Sequence, residues 1–291
     1  NFYLIGEITG GRQRAFTTLE LTGLSAALGI DDIPDKLEFM VKGYRNPAEY
    51  FDLFRNSMLV QKESHVWFRN KVVTLFDDHD QVRKGENKER FCAGDARLAR
   101  LLLPALALNT LSLGIPCIYY GSEQGFDGGG QSDRYLRESM FGGKFGAFRS
   151  QGRHFFNEEH PVYAELAKIL AVRRKKLALR RGRQYLRPIS GDGEQFGLPE
   201  MVGGEMRSIV PWSRLFDDTE IIVAINTDPD HKRAAWVEVQ GELYPSGQGL
   251  RCIYSSEAGQ VGSRVEVEAR AGRKTAWLRV APAGVAIFEK E

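Results

Sequence analysis

Apolar residues follow two regimes along the chain. Up to about residue 178, short apolar runs alternate with stretches in which apolar positions recur at i, i+3 and i+4. The runs at 3–6, 24–29, 72–76 and 115–120 are too short for helices and predict buried strands. Between them, 15–22, 33–41, 48–59, 95–113 and 161–176 have helical spacing. In the fourth of these, Leu98, Leu101, Leu102, Ala105 and Leu108 share one face. Pro34 and Pro47 suit helix starts, where a missing N–H is harmless. Four strands alternating with helices predict a parallel sheet covered by helices.

The second regime begins near Ala178. Short β-rich runs at 221–226, 235–239, 250–254, 265–269, 275–280 and 285–288 follow one another without helices. Some alternate strictly, as in Val265-Glu266-Val267-Glu268, and Gly, Pro, Ser and Asp cluster between them. This pattern predicts an antiparallel sandwich with one face wet. The predicted organisation is therefore α/β over residues 1–177 and all-β over 178–291.

Composition narrows the classes. The chain has 291 residues, with 42% hydrophobic and 27% charged, ordinary for a globular protein with real cores. A net charge of +2 offers no global field to recruit nucleic acid or an anionic membrane. The most apolar stretch, 98–120, is interrupted by Arg100, Pro104, Asn109 and Pro116, and reads as a helix followed by a strand, not a membrane span. No signal-peptide pattern opens the chain, and the compartment is left open. Cys92, Cys117 and Cys252 are far apart and odd in number, so neither a disulfide framework nor a CxxC metal motif follows. The basic run Arg173, Arg174, Lys175, Lys176, Arg180, Arg181, Arg183 lies at a helix end with Gly182 beside it, where cations complement the helix dipole.

The residues that could carry chemistry sit at strand ends. Glu7 closes the first predicted strand, and Phe76-Asp77-Asp78-His79-Asp80-Gln81-Val82-Arg83 directly follows the third. In a β/α barrel, acids at the C-terminal ends of strands meet over one rim. Glycosidic cleavage needs such a pair: an acid for the leaving oxygen and a carboxylate across the sugar ring. His79 suits hydrogen bonding to sugar hydroxyls, and Arg83 could hold a carboxylate in place. The plainer readings are a Glu7 that caps a helix or pairs with an arginine, and a turn with a capping Asp and a packed His. The cluster His154, Glu158, Glu159, His160 precedes Pro161 with irregular spacing and fits a loop leading into a helix better than a metal site. Gly128-Gly129-Gly130 reads as a flexible loop and not a phosphate cradle, because no Lys-Ser/Thr follows.

Three segments together carry a resemblance. Phe76-Asp77-Asp78-His79-Asp80, the stretch Gly114-Ile115-Pro116-Cys117-Ile118-Tyr119-Tyr120-Gly121-Ser122-Glu123-Gln124-Gly125, and Gly6-Glu7 resemble, in that family's order, the later motifs of the alpha-amylase family of retaining glycoside hydrolases. The β-rich tail resembles the family's C-terminal domain. The resemblance implies the second half of a (β/α)8 TIM barrel, strands five to eight, followed by a β-sandwich. It implies Glu7 as general acid/base, Asp80 as the acid that stabilises the oxocarbenium-like transition state, and His79 as a sugar contact. The implied substrates are α-glucans or α-glucosides, whether starch, maltooligosaccharide or sucrose-like, with no nucleic acid and no membrane.

Two departures stand out. Asp78 occupies a place where the family usually has Asn, and no segment matches the Gly-x-Arg-x-Asp motif that carries the nucleophile. The first four barrel strands are therefore expected upstream of Asn1, and the chain alone is expected to be inactive. A non-catalytic carbohydrate-binding or scaffold module, and a transglycosylase of the same family, are the rival readings. The family admits calcium, but no ligand set is visible. The open edges of a half barrel, near Tyr3 and Ile118, would need cover from a missing segment, local disorder or a homodimer.

Overall fold

The computed structural model describes residues 2–30, 32–54, 69–81, 84–138, 140, 157–245 and 247–291. It divides into two compact units. The first is Asn1–Glu38, Asn56–Thr110 and Gly114–Ala167, and the second is Phe39–Arg55, Leu111–Leu113 and Lys168–Glu291.

In the first unit, β1 (Ile5–Glu7) leads to helix α1 (Gly11–Thr22), β2 (Ala26–Leu28) and helix α2 (Asp32–Val41), which runs on past the unit's edge. Helix α3 (Pro47–Phe51) belongs to the second unit. Strand β3 (Val73–Thr74), strand β4 (Lys88–Glu89), helices α4 (Ala96–Ala99) and α5 (Leu102–Leu111), β5 (Ile115–Pro116) and β6 (Gly129–Gly130) follow. β1 pairs with β2 in parallel, Ala27 bridges to Val72 in parallel, and β3 pairs with β5 in parallel. The four predicted strands thus lie side by side in chain order, each shorter than its apolar run.

The predicted helix over 95–113 is two helices. Asp95 caps α4 by accepting from the N–H groups of Arg97 and Leu98. Pro104 has no N–H to offer the Arg100 carbonyl four residues back, so the helix stops at Ala99 and resumes at Leu102. Among the described residues no helix is long and apolar enough to cross a membrane.

The triple glycine is not a flexible loop. Gly129–Gly130 pairs antiparallel with Lys88–Glu89, and the Gly128 carbonyl accepts from the Arg90 N–H at 2.9 Å. Glycine is needed because a Cβ at Gly128 would stand 1.9 Å from the Tyr135 carbonyl oxygen. Gly128→Ala is expected to destabilise this unit by about 1–3 kcal/mol, as overpacking does. A urea midpoint equal to that of the parent chain would count against this close approach.

The second unit holds helix α7 (Leu177–Arg181), entered from helix α6 (Pro161–Lys175), and nine antiparallel strands. These are β7 (Arg183–Leu186), β8 (Ile189–Ser190), β9 (Ile209–Phe216), β10 (Thr219–Asn226), β11 (Arg233–Glu238), β12 (Gly249–Ser255), β13 (Arg264–Arg270), β14 (Arg273–Val280) and β15 (Val285–Lys290). Their order is β7-β9-β10-β15-β12-β13-β14-β11-β8. The sheet is continuous because β13 serves two partners: Arg264 to Glu266 pair with β12, and Val267 to Arg270 pair with β14. A strand that changes partners along its length is how one layer turns into another. Ile222, Ala224, Val237, Leu250, Leu278 and Phe288, from both sides of that turn, share one buried core.

Candidate active site

The short strands of the first unit aim their C-terminal ends at one place. Alternation along the strands puts Ala26, Val73 and Leu75 in one cluster with Leu28, Ile115 and Cys117 packed against it. Register places Glu7 opposite Leu28, on the same face. Phe76 and Asp77 then leave the strand buried, and the next three residues turn over the open face.

That turn is set by its own side chains. Asp78 Oδ1 accepts from the backbone N–H groups of Asp80 (3.1 Å) and Gln81 (2.5 Å), an Asx turn that brings His79 and Asp80 up over the strand ends. Gln81 has φ +44, in the left-handed region. It is held there because its amide donates to the Glu89 carbonyl at 2.7 Å and accepts from the Glu89 N–H at 2.8 Å, as a neighbouring strand would. Lys88 donates to the Asp80 carbonyl and to Asp133, and Arg137 Nε donates to the His79 carbonyl at 2.9 Å.

The structure brings together three of the four residues singled out in the sequence. His79 Nε2 lies 3.5 Å from Glu7 Oε2 and 3.5 Å from Asp80 Oδ2. A ligand atom from each of the three lies within 4.8 Å of the others. The side chains are 42%, 38% and 25% exposed for Glu7, His79 and Asp80, so all three reach solvent from a cleft also lined by Thr9, Leu28, Ile30 and Leu75. Arg83 lies outside the described residues. The trio is a poor calcium site, since calcium takes six to eight oxygens and here an imidazole separates two carboxylates. An exposed acid and a half-buried one around an imidazole, with an apolar floor, can hydrogen-bond a polyhydroxylated ligand.

Of the other polar cluster, His154 lies outside the described residues. Glu158 and Glu159 are exposed in the turn before α6, and the His160 carbonyl accepts from the Ala164 N–H, as in a loop that starts a helix.

Sequence reasoning passed over what stands behind the turn. Asp77 is buried and accepts from the Phe91 N–H (2.7 Å) and the Ser122 hydroxyl (2.8 Å). Burial raises its carboxyl above the usual range, against the pull of Arg90 and of these two donors. Arg90 is fully buried and donates to the carbonyls of Tyr120 and Leu136, both at 2.8 Å. Its guanidinium lies 4.6, 5.2 and 5.0 Å from the ring centres of Tyr119, Tyr120 and Phe126. The only sequence signal for this group was an acid and an arginine flanking apolar residues.

No family model matches the chain. An alpha-amylase of Streptomyces lividans is 32% identical over 199 residues, 64% of this chain and 20% of that protein. A cyclomaltodextrin glucanotransferase of Thermoanaerobacterium thermosulfurigenes is 31% identical over 137 residues, 47% of this chain and 16% of that protein. The chain thus spans about a fifth or less of the length of these curated relatives. Among solved structures, the gamma-cyclodextrin glucanotransferase of alkalophilic Bacillus clarkii superposes with a TM-score of 0.63 at 18% identity, over 99% of this chain and 36% of that one. The alpha-amylase of Geobacillus thermoleovorans, complexed with acarbose, gives 0.62 at 16% identity, over 100% of this chain and 53% of that one.

Proposed function

Because the chain is similar to the C-terminal portion of alpha-amylase-family enzymes, we propose that it forms part of a glycosidase that cleaves α-glucosidic bonds with retention. The observation that carries this reading is the meeting of Glu7, His79 and Asp80 over the ends of parallel strands. In this reading the four strands are strands five to eight of a (β/α)8 barrel, and residues 178–291 are the C-terminal β domain. Glu7 protonates the leaving oxygen and then deprotonates the attacking water. Asp80 stabilises positive charge at the anomeric carbon, and His79, fixed through its carbonyl by Arg137, hydrogen-bonds the sugar. The nucleophile is a carboxylate outside this chain, so the 291 residues alone bind α-glucan without turning it over. The test is hydrolysis of soluble starch by this chain beside a version extended with the upstream half. Turnover by the short chain would defeat the reading.

The glucanotransferase relatives favour a second reading of the same site. A sugar hydroxyl in place of water would make the enzyme a transglycosylase. Product analysis at high maltooligosaccharide concentration separates the two: longer or cyclic products mean transfer, and shorter ones mean hydrolysis.

The Asp at 78 serves its turn through Oδ1, which an amide supplies equally well. Asp78→Asn is therefore expected to leave turnover of the complete enzyme within about threefold, whereas Asp78→Ala frees the Asp80 and Gln81 N–H groups and lowers it further. Equal rates for the two variants, measured on maltooligosaccharides, would show that the turn does not depend on this acceptor.

A further inference from the structure

We propose that Lys88 is a positioning residue for the acid at Asp80, acting on its backbone and not on the sugar. The proposal rests on the catalytic reading of Asp80 given above and on the following geometry.

Asp80 is gripped on both sides of its Cα. Its N–H donates to Asp78 Oδ1 at 3.1 Å, within its own turn. Its carbonyl accepts from the Lys88 ammonium, which reaches it from β4. With the peptide groups before and after Cα both held, the direction of the Cα–Cβ bond is fixed. The carboxylate at its end stands 3.5 Å from His79 Nε2, and a turn of the backbone would swing it away from that imidazole.

Lys88 is itself held by tertiary structure. Its backbone pairs with Gly130, and a Cβ at Gly130 would collide with the Tyr135 ring. The short 3-10 turn Asp133–Tyr135 therefore packs directly on β6 and brings Asp133 to the same ammonium. The hydrogen bond from Lys88 draws the Asp133 carboxyl below the usual range, so the acid stays charged against the cation. An ammonium has three donors and no acceptor, so one nitrogen can serve a carbonyl and a carboxylate at once. The loop from Gln81 to Glu89 closes on itself through the Gln81 amide, and Lys84 braces it. Lys84 donates to the Glu89 carbonyl at 3.0 Å and pairs with the buried Glu38 of α2 at 2.8 Å.

The Lys88 side chain is 15% exposed and its ammonium already serves two acceptors, so it is poorly placed to meet a ligand. Its pairing with the solvent-facing Asp133 adds little to stability, as exposed ion pairs do. Its largest effect therefore falls on the geometry of Asp80.

The test compares the parent with Lys88→Met, which keeps the stem and removes the donor. In the complete enzyme, kcat on maltoheptaose should fall about 10- to 100-fold with KM little changed, because a displaced carboxylate weakens the transition state and not the bound substrate. A short chromogenic α-glucoside should lose the same factor, since the defect lies at the reacting sugar. In the 291-residue chain, the carbonyl carbon NMR resonance of Asp80 should shift, while the urea midpoint stays near that of the parent. Asp133→Ala should give the same kcat loss, and adding it to Lys88→Met should cost little more, because both act through one ammonium. Unchanged kcat in Lys88→Met, beside an inactive Asp80→Asn, would overturn the positioning role and leave the chemistry standing. Near-normal turnover in Asp80→Asn would instead remove the catalytic reading on which the proposal rests. A loss that falls on KM and grows with chain length would make Lys88 a sugar contact. A urea midpoint that drops together with kcat would make it a structural one.

Discussion

Glu7→Gln, introduced into the complete enzyme of which this chain is proposed to be part, is expected to lower turnover of α-glucan by about 10²–10⁴-fold, the usual contribution of a positioned acid/base. The substitution keeps size and hydrogen-bonding capacity while removing the transferable proton. Affinity for maltooligosaccharide should therefore change little, and the loss should fall on kcat. A substrate whose leaving group needs no proton, such as α-glucosyl fluoride, supplies an internal control. Its bond cleavage should be spared in the variant, because departing fluoride makes no demand on Glu7. A variant with near-normal turnover on maltooligosaccharide would remove Glu7 from the mechanism. A variant equally impaired on both substrates would show that Glu7 holds the site in shape instead of moving a proton. The 3.5 Å approach of His79 to Glu7 makes this second outcome a real alternative, since an imidazole beside a carboxylate can fix its orientation.

The second large effect is expected at Arg90. This side chain is buried, and its guanidinium supplies both hydrogen bonds to carbonyls of the segment beyond β5 and positive charge near Asp77 and Glu138, the latter at 3.9 Å. Arg90→Leu leaves those acids without their cation in a site that water does not reach. Breaking a buried charge arrangement from one side costs about 3–5 kcal/mol. Unfolding of the first unit, followed by hydrogen exchange at Phe91 and Ser122, should report that loss. A double variant, Arg90→Leu with Glu138→Leu, should recover part of the stability, because the uncompensated acid goes too. Arg90→Leu within about 1 kcal/mol of the parent would mean that the cation contributes only packing against its three rings. Since Asp77 directly precedes the turn that carries His79 and Asp80, the same variant should also lower affinity for maltoheptaose in the cleft.

The sequence made some of this legible for clear physical reasons. The run 72–76 is buried along its length and 115–120 is half-buried, and both are rich in apolar residues, so their existence is readable. Their ends are not: only Val73–Thr74 and Ile115–Pro116 are strands, because hydrogen-bond register, and not apolarity, sets the boundary. Val265-Glu266-Val267-Glu268 announced a half-wet strand, but nothing in it announced that the strand changes partners at its middle. β9 was missed despite its burial, since Pro211, Ser213 and Arg214 interrupt its apolar pattern. Arg214 is there because the carbonyls of Leu111 and Gly182 need its donors, a tertiary demand that local pattern does not encode. The triple glycine was misread for a related reason. Absence of side chains signals freedom when read along the chain, and close approach when the neighbours are known. At the site, an acid at a strand end and a His-Asp pair were visible as residue types. The holding contacts of Gln81 with Glu89 and of Asp77 with Ser122 join residues eight and 45 positions apart and left no local trace.

The order of strands in the second unit bears on how the protein is made. β15 emerges from the ribosome after the other eight, yet it lies between β10 and β12. Until it is synthesised, the sheet exists as two separate ribbons, β7-β9-β10 and β12-β13-β14-β11-β8, each presenting a bare edge where β15 will insert. The nascent unit is thus open along its middle for nearly the whole of its translation. Its most vulnerable moment for chaperone capture or for wrong pairing with another chain comes just before Val285–Lys290 appears.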